Sequence, residues 1–316
     1  MLPITIRARV KRLINLMENE SILPDPPMFS AEDTERCKSS GNYAPVFFEW
    51  YKFVGSLAFI VSHIEPNSPA LRQIPAQHFH VLVGLLNRCA RLMLANVALS
   101  HQGKFGETTA IVDRCIFESA IKIMWLSLGQ TQERFDRYLA EGLKADIELK
   151  KQIEANIAAR NGIARPFETR MLTSIANVLI AAEMTESEVL AASKMPDVSS
   201  IMTSIGYDRL HYVVAQKIGS HHIHGTWPSL AFHYLQKRTE DRGNVKLQPR
   251  GHDCDTHINQ YMYVSIIVLQ AMAGYVGFAM KELTDSTTLI QLFESTEREI
   301  STIFNSAIEE LDLRAS

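Results

Sequence analysis

Histidine has the most uneven distribution in this sequence. Seven of the eleven histidines (His211, His221, His222, His224, His233, His252 and His257) fall between positions 211 and 257. Their centre is Gly219-Ser220-His221-His222-Ile223-His224-Gly225-Thr226-Trp227-Pro228, which reads as the end of one helix and the turn after it. Imidazole titrates near neutrality, so the cluster is suited to general acid or base work, or to metal ligation. The end of a helix also favours the imidazolium form through its dipole. Three readings stay open. His221, His222 and His224 could meet His252, Asp253, Cys254, Asp255 or His257 around a zinc ion, which takes N, O and S donors at about 2.0–2.3 Å, although the spacing follows no established zinc signature. One histidine could act as a proton-transfer catalyst. Or the imidazoles could cap carbonyls and bond to neighbours in a tight turn.

A second set is charged. Arg114, Glu118 and Lys122 repeat at i, i+4 and i+8 on a segment otherwise made of Ile111, Val112, Ile116, Phe117, Ile121, Ile123, Met124, Trp125 and Leu126. Such a stripe is either the one solvated face of the helix or a buried ion pair, since charges inside a fold must be paired. The next segment brings Glu133, Arg134, Asp136, Arg137 and Tyr138, with Arg134 and Tyr138 on one face.

The elements that position these groups are helical. Apolar residues recur at three- and four-residue spacing, predicting helices near 4–18, 44–64, 75–101, 107–128, 132–160, 166–183, 186–194, 206–218, 228–237, 255–282 and 286–311. Thr185 with Glu188 forms a capping box, Thr131 can cap a helix starting at Gln132, and Pro166 suits a first turn. No strand is predicted. The polar stretch 239–251 reads as an inserted loop, and the fold class is an all-α multi-helix bundle. Residues 1–70 are assigned to an N-terminal helical extension, and 71–316 to a bundle domain with the polar insertion near 238–254.

The chain has 316 residues, 46% hydrophobic and 21% charged, with four scattered cysteines and a net charge of −3. That composition excludes disorder and a disulfide scaffold, and it gives no global basic field. It suggests a reduced, cytoplasmic globule. Thr256 to Met280 lacks Asp, Glu, Lys and Arg but includes His257, Asn259, Gln260 and Gln270, so a buried central helix is expected there rather than a bilayer span. Phosphate-loop, dinucleotide, serine-hydrolase elbow and zinc-protease motifs are absent, and no cofactor or metal is assigned.

Asp113-Arg114-x3-Glu118-x6-Trp125-Leu126, followed by Glu133-Arg134-Phe135-x2-Tyr138, resembles the first half of a bacterial all-α family, the domain of unknown function 5677. That family's second half has a tyrosine-rich helix ending in Ser-x3-His-Gly, and Tyr207, Tyr212, Ser220, His224 and Gly225 stand in that pattern. The resemblance covers roughly residues 75–282. A weaker likeness extends to the HEPN helical bundles of bacterial toxin and phage-defence ribonucleases, which carry Arg-x4–6-His at a helix end and commonly dimerise across the site. The sequence departs from that pattern, because Lys217, Ile218 and Gly219 occupy the positions seven, six and five residues before His224.

What the resemblance implies is an RNA-directed effector, with His224 as general base, His222 or His221 as accessory, and Arg114 and Arg134 as phosphate ligands. Glu118, Tyr138, Tyr207, Tyr212, Lys217 and Ser220 would line the site. The competing expectation is a non-catalytic helical module for a protein partner or small ligand, in which these residues are structural contacts. Partial protonation of the histidines would make this end locally positive.

Overall fold

A computed structural model describes residues 23–100, 103–213, 218–239, 245–251, 254–282 and 284–315. The basic helix expected at 4–18, together with Lys217 and His252, lies outside the described residues. The fold is an all-α bundle, with one small β-ribbon among the described residues.

Local chemistry explains most boundaries. Helix α1 (Ala31–Ser40) opens on a capping box between Ser30 and Asp33 and closes at Gly41 in the left-handed region, φ 69°. Then follow α2 (Ala44–Val61), α3 (Ala76–Leu99), α4 (Gly106–Gly129) and α5 (Gln132–Ala159). Pro166 sits in the first turn of α6 (Pro166–Ala181), and the Thr185–Glu188 box starts α7 (Glu186–Ala191). Asp197 caps α8 (Val198–Ser204). Of the helix predicted over 206–218, the structure describes one helical turn at Arg209–Tyr212; residues 214–217 lie outside the described residues, and α9 (Ile218–Ile223) follows them. The chain ends with α10 (Ile258–Ala279) and α11 (Thr284–Ala315).

The core is built on α10, which is apolar all round and packs against α4, α11 and α2, with α3 completing the layer. Trp50, Tyr51, Leu57, Leu86, Met93, Phe117, Tyr261 and Tyr275 are fully buried there. At Gly274 a Cβ would sit 3.7 Å from that of Ser127, so α10 and α4 approach backbone to backbone. Helix α2, expected in an extension before residue 70, is part of this same core. Its Val46, Phe47, Trp50, Phe53, Val54, Leu57 and Val61 need burial that only the bundle supplies. A second, smaller core of Ala140, Leu143, Ile147, Ala182 and Val189 joins α5 to α6 and α7.

The structure departs from the sequence reading between 230 and 249. Leu230–Tyr234 forms a π-helical turn, and Leu235–Thr239 (β1) pairs antiparallel with Val245–Pro249 (β2), from Leu235↔Pro249 to Thr239↔Val245. A two-residue hairpin turn would have announced the pair, whereas residues 240–244 make the connection here. Val245 and Leu247 do alternate with Lys246 and Gln248, the period of a strand. By length and composition alone, α2, α3 and α10 are each apolar enough to cross a membrane. In this fold α2 and α10 pack on each other and on α3, and α10 packs on α4 as well.

Candidate functional site

Helix α4 organises the site through its periodicity. At 100° per residue, Glu107, Arg114 and Glu118 (i, i+7, i+11) fall within about 20° of one line along the helix. Asp113 points elsewhere.

On the outer line, the Arg114 guanidinium is 14% exposed and pairs with Glu118, with Nη2 3.1 Å and Nε 3.2 Å from Oε1. Its Nη1 donates to Ser220 Oγ at 3.1 Å. The two halves of the motif, 106 positions apart in sequence, meet at that bond. The amide of His224 donates to the carbonyl of Ser220 at 3.1 Å. This places His224 one turn beyond Ser220, a spacing that brings Cβ atoms to about 5–6 Å in a helix. The His224 ring is exposed. His221 Nδ1 and Thr226 Oγ1 form a 2.7 Å hydrogen bond across the turn at Gly225, whose φ is 55°.

Two turns back along α4, Glu107 is buried and accepts from Ser229 Oγ at 2.9 Å and from the Tyr234 hydroxyl. His222 Nδ1 lies 3.4 Å from Ser229 Oγ, and the His222 and His233 rings meet edge to face at 4.7 Å. His257 closes the group, 5.4 Å from His233 and 6.3 Å from His222, and His233 Nδ1 bonds to Cys254 Sγ at 2.8 Å. Gly106 allows this closure: its amide donates to the Cys254 carbonyl at 3.1 Å, and a Cβ there would fall 2.0 Å from the Asp255 carbonyl oxygen.

Burial sets the protonation of this inner group. Desolvation pushes His222 below the ordinary imidazole range, helped by His257 and His221, and desolvation alone pushes His257 down. Both are therefore neutral at pH 7, which corrects the expectation of a locally positive end at these two rings. Among the described residues, no three His, Cys, Asp or Glu side chains are arranged to hold a metal ion.

The other expected site residues lie apart. Arg134 sits at the far end of α4, stacked 5.0 Å from the Trp125 ring centroid, with Nη1 donating to the Trp125 carbonyl at 2.5 Å. Gly129 makes this possible, since a Cβ there would fall 2.3 Å from the Arg134 guanidinium. Trp125 is eleven residues beyond Arg114, about 16 Å along the axis, so the two arginines serve different ends. Tyr207 bonds to Gln270, which in turn donates to Glu297 at 2.7 Å. Tyr212 and Tyr138 are half-buried against the core, and burial pushes the Tyr138 phenol up. Tyr138 also lines a cleft of about 300 Å³ between α3 and α5, with His80 and Arg88. Lys217 lies outside the described residues. Glu107, Ser229 and Tyr234 went unnoticed in the sequence; the i, i+7 spacing of Glu107 and Arg114 was the available signal.

Asp113 faces the core. Its Oδ1 accepts from Tyr51 at 3.0 Å and from Asn96 Nδ2 at 2.8 Å. Burial pushes its carboxyl up to about 7, against the lowering effect of those two hydrogen bonds. Asp113 Oδ2 and Asn96 Oδ1 are buried acceptors without a hydrogen-bond partner, and a protonated carboxyl brings a donor to that pocket.

Fold and site together define a class: an all-α bundle in which a short histidine-bearing segment, 218–234, lies along the outer face of a central helix. The particular family is equally plain. The chain belongs to the Family of unknown function (DUF5677), whose model matches residues 79–244, just over half of the chain. The match runs from within α3 to the residue before β2, including Arg114, Glu118, Ser220, His222 and His224, and stops before α10. No curated protein and no solved structure matches the chain.

Proposed function

We propose that the protein is an RNA-directed helical effector, HEPN-like in layout, whose reacting corner is Arg114, Ser220 and His224. The observation that carries this reading is the 3.1 Å bond from Arg114 to Ser220, one turn before an exposed histidine. A cation held one helical turn before an imidazole suits metal-independent cleavage of RNA. His224 takes the proton of a ribose 2′-hydroxyl, whose oxygen attacks the adjacent phosphorus. The bond to the 5′-oxygen breaks, that oxygen takes a proton from water, and a 2′,3′-cyclic phosphate is left. Arg114 stabilises the charge on the phosphate, exchanging its bond to Ser220 for one to a phosphoryl oxygen. His222, neutral and half-buried, holds Ser229 rather than the substrate. Arg134 plays no part in this corner. A cytoplasmic setting accords with four cysteines that form no disulfide, Cys37, Cys89, Cys115 and Cys254.

A second reading, a non-catalytic module for a protein partner, draws on the engagement of both arginines: Glu118 holds Arg114, and Trp125 holds Arg134. RNA degradation by wild type and His224→Ala separates the two. Loss of a general base costs about 100-fold or more in rate, with the melting temperature unchanged because the ring is exposed. Equal degradation by both proteins overturns the catalytic reading.

A further inference from the structure

The cleft between α3 and α5 has no part in the corner described above. Gln77, His80, Val81, Gly84, Leu85 and Arg88 recur at i, i+3, i+4, i+7, i+8 and i+11, which is one face of a helix. All six line the cleft, and Tyr138 and Leu139 of α5 close its other side. Its volume of about 300 Å³ is at the small end of the range for ligand sites. Gly84 makes the room. A Cβ there would meet nothing within 4 Å. His80 and Arg88 stand four residues to either side of it, each about 6 Å away along the axis. Glycine in a helix interior costs stability; here the missing side chain leaves an open waist between an imidazole and a guanidinium.

The floor of the cleft is apolar, made by Val81, Leu85 and Leu139. The polar groups around it can all donate: the Gln77 amide, the His80 imidazole, the Arg88 guanidinium and the Tyr138 hydroxyl. Among the described residues, no carboxylate lines the cleft, and neither His80 nor Arg88 is paired with one. Both side chains are exposed at its mouth. Burial pushes the Tyr138 phenol up, and the charge of the nearby Arg88 acts in the opposite sense. Tyr138 therefore stays a neutral donor close to a fixed cation. The planar fork of arginine matches a carboxylate or a phosphate. An anionic head satisfies these donors while an apolar body covers the floor. A cationic ligand would be repelled by Arg88, and a wholly apolar one would desolvate the guanidinium without pairing it.

We propose that the α3–α5 cleft binds a small amphipathic anion, with its carboxylate or phosphate head on Arg88 and its apolar body over Gly84 against Val81 and Leu85. Tyr138, expected beside RNA from the sequence, serves this ligand instead. The site shares no residue with Arg114, Ser220 or His224, so it stands or falls separately from the RNA reading.

The test is a saturation-transfer NMR titration of the full-length protein with octanoate, 2-naphthoate and 2-naphthyl phosphate. At least one should bind with a Kd between about 10 μM and 1 mM, the range open to ligands of this size. A preference for 2-naphthoate over 2-naphthyl phosphate assigns a carboxylic acid, and the reverse assigns a phosphate monoester. Arg88→Gln should weaken binding of the preferred anion about tenfold or more, because a charge-assisted hydrogen bond is lost. The neutral 2-naphthamide should bind wild type about tenfold more weakly than 2-naphthoate and be indifferent to Arg88→Gln. Gly84→Leu fills the waist and should also weaken the anion about tenfold or more. Its melting temperature should hold or rise, since leucine is the better helix former and its Cβ has space. Binding of none of the three anions at about 5 mM, several times the upper end of that range, overturns the proposal. So does an affinity for the preferred anion that is unchanged in either variant, or 2-naphthamide or 2-naphthylmethylammonium bound as tightly as 2-naphthoate.

Discussion

Asp113 and Arg114 are consecutive in the chain and occupy opposite environments. Asp113 faces inward from α4 to Tyr51 on α2 and Asn96 on α3, in a buried pocket. Arg114 faces outward to Glu118 and to Ser220 on α9, partly open to solvent. The inner network ties three helices together at the cost of a desolvated carboxyl. The outer one fastens a segment more than a hundred residues away, and the exposed His224 stands one turn beyond that contact. A helix apolar nearly all round thus carries two polar lines: one ties the bundle together, and the other fastens the segment that we propose as the reacting corner.

The sharpest way to break this comparison is Asn96→Ala. Asn96 Nδ2 donates to Asp113 Oδ1 and, at 3.1 Å, to the Thr109 carbonyl. Its removal leaves buried acceptors unmet and should cost about 2–4 kcal/mol in a chemical denaturation curve. RNA cleavage per folded molecule should stay within twofold of wild type; a larger loss would mean that the inner network reaches the outer site.

Asp113→Asn is a subtler probe. In the folded state the Asp113 carboxyl is raised to about 7 from an ordinary 3.8, so the folded protein binds the extra proton between those values. Stability from this group is greatest below about pH 4, falls as pH rises towards 7, and is flat above. The amide keeps the acceptor for Tyr51 and Asn96 without the charge. It should remove that part of the pH slope and stabilise the fold at pH 8 by on the order of 1–3 kcal/mol. A variant that melts lower than wild type at pH 8 would show that the inner carboxylate is a stabilising charge.

Much of the inner architecture was legible in the sequence. The all-round apolar pattern of α10 and the capping chemistry of Thr185–Glu188 and Pro166 are local signals, and the helices follow them closely. Helices α1 and α8 were missed because both are short and polar, although Ser30–Asp33 and Asp197 carry recognisable caps. The site was legible only as separate halves. The spacing of Arg114 and Glu118 showed a stripe, and Ser220-x3-His224 showed a helix end, but only the tertiary fold brings them together. Arg134 looked equivalent to Arg114 in sequence; the space left by Gly129 instead turns it back onto Trp125. The ribbon stayed hidden because its pairing depends on the sharp change of path at Leu230–Tyr234, which a helical periodicity does not announce.

The central claim is that Arg114 and His224 form one reacting corner, and a double-mutant cycle on RNA cleavage tests it most directly. Arg114→Gln and His224→Ala should each lower the rate, and the double variant should be little slower than the worse single one, because groups acting as a unit lose their effect together. A double variant slowed by the full product of the two single effects would contradict the account and place Arg114 and His224 in separate roles.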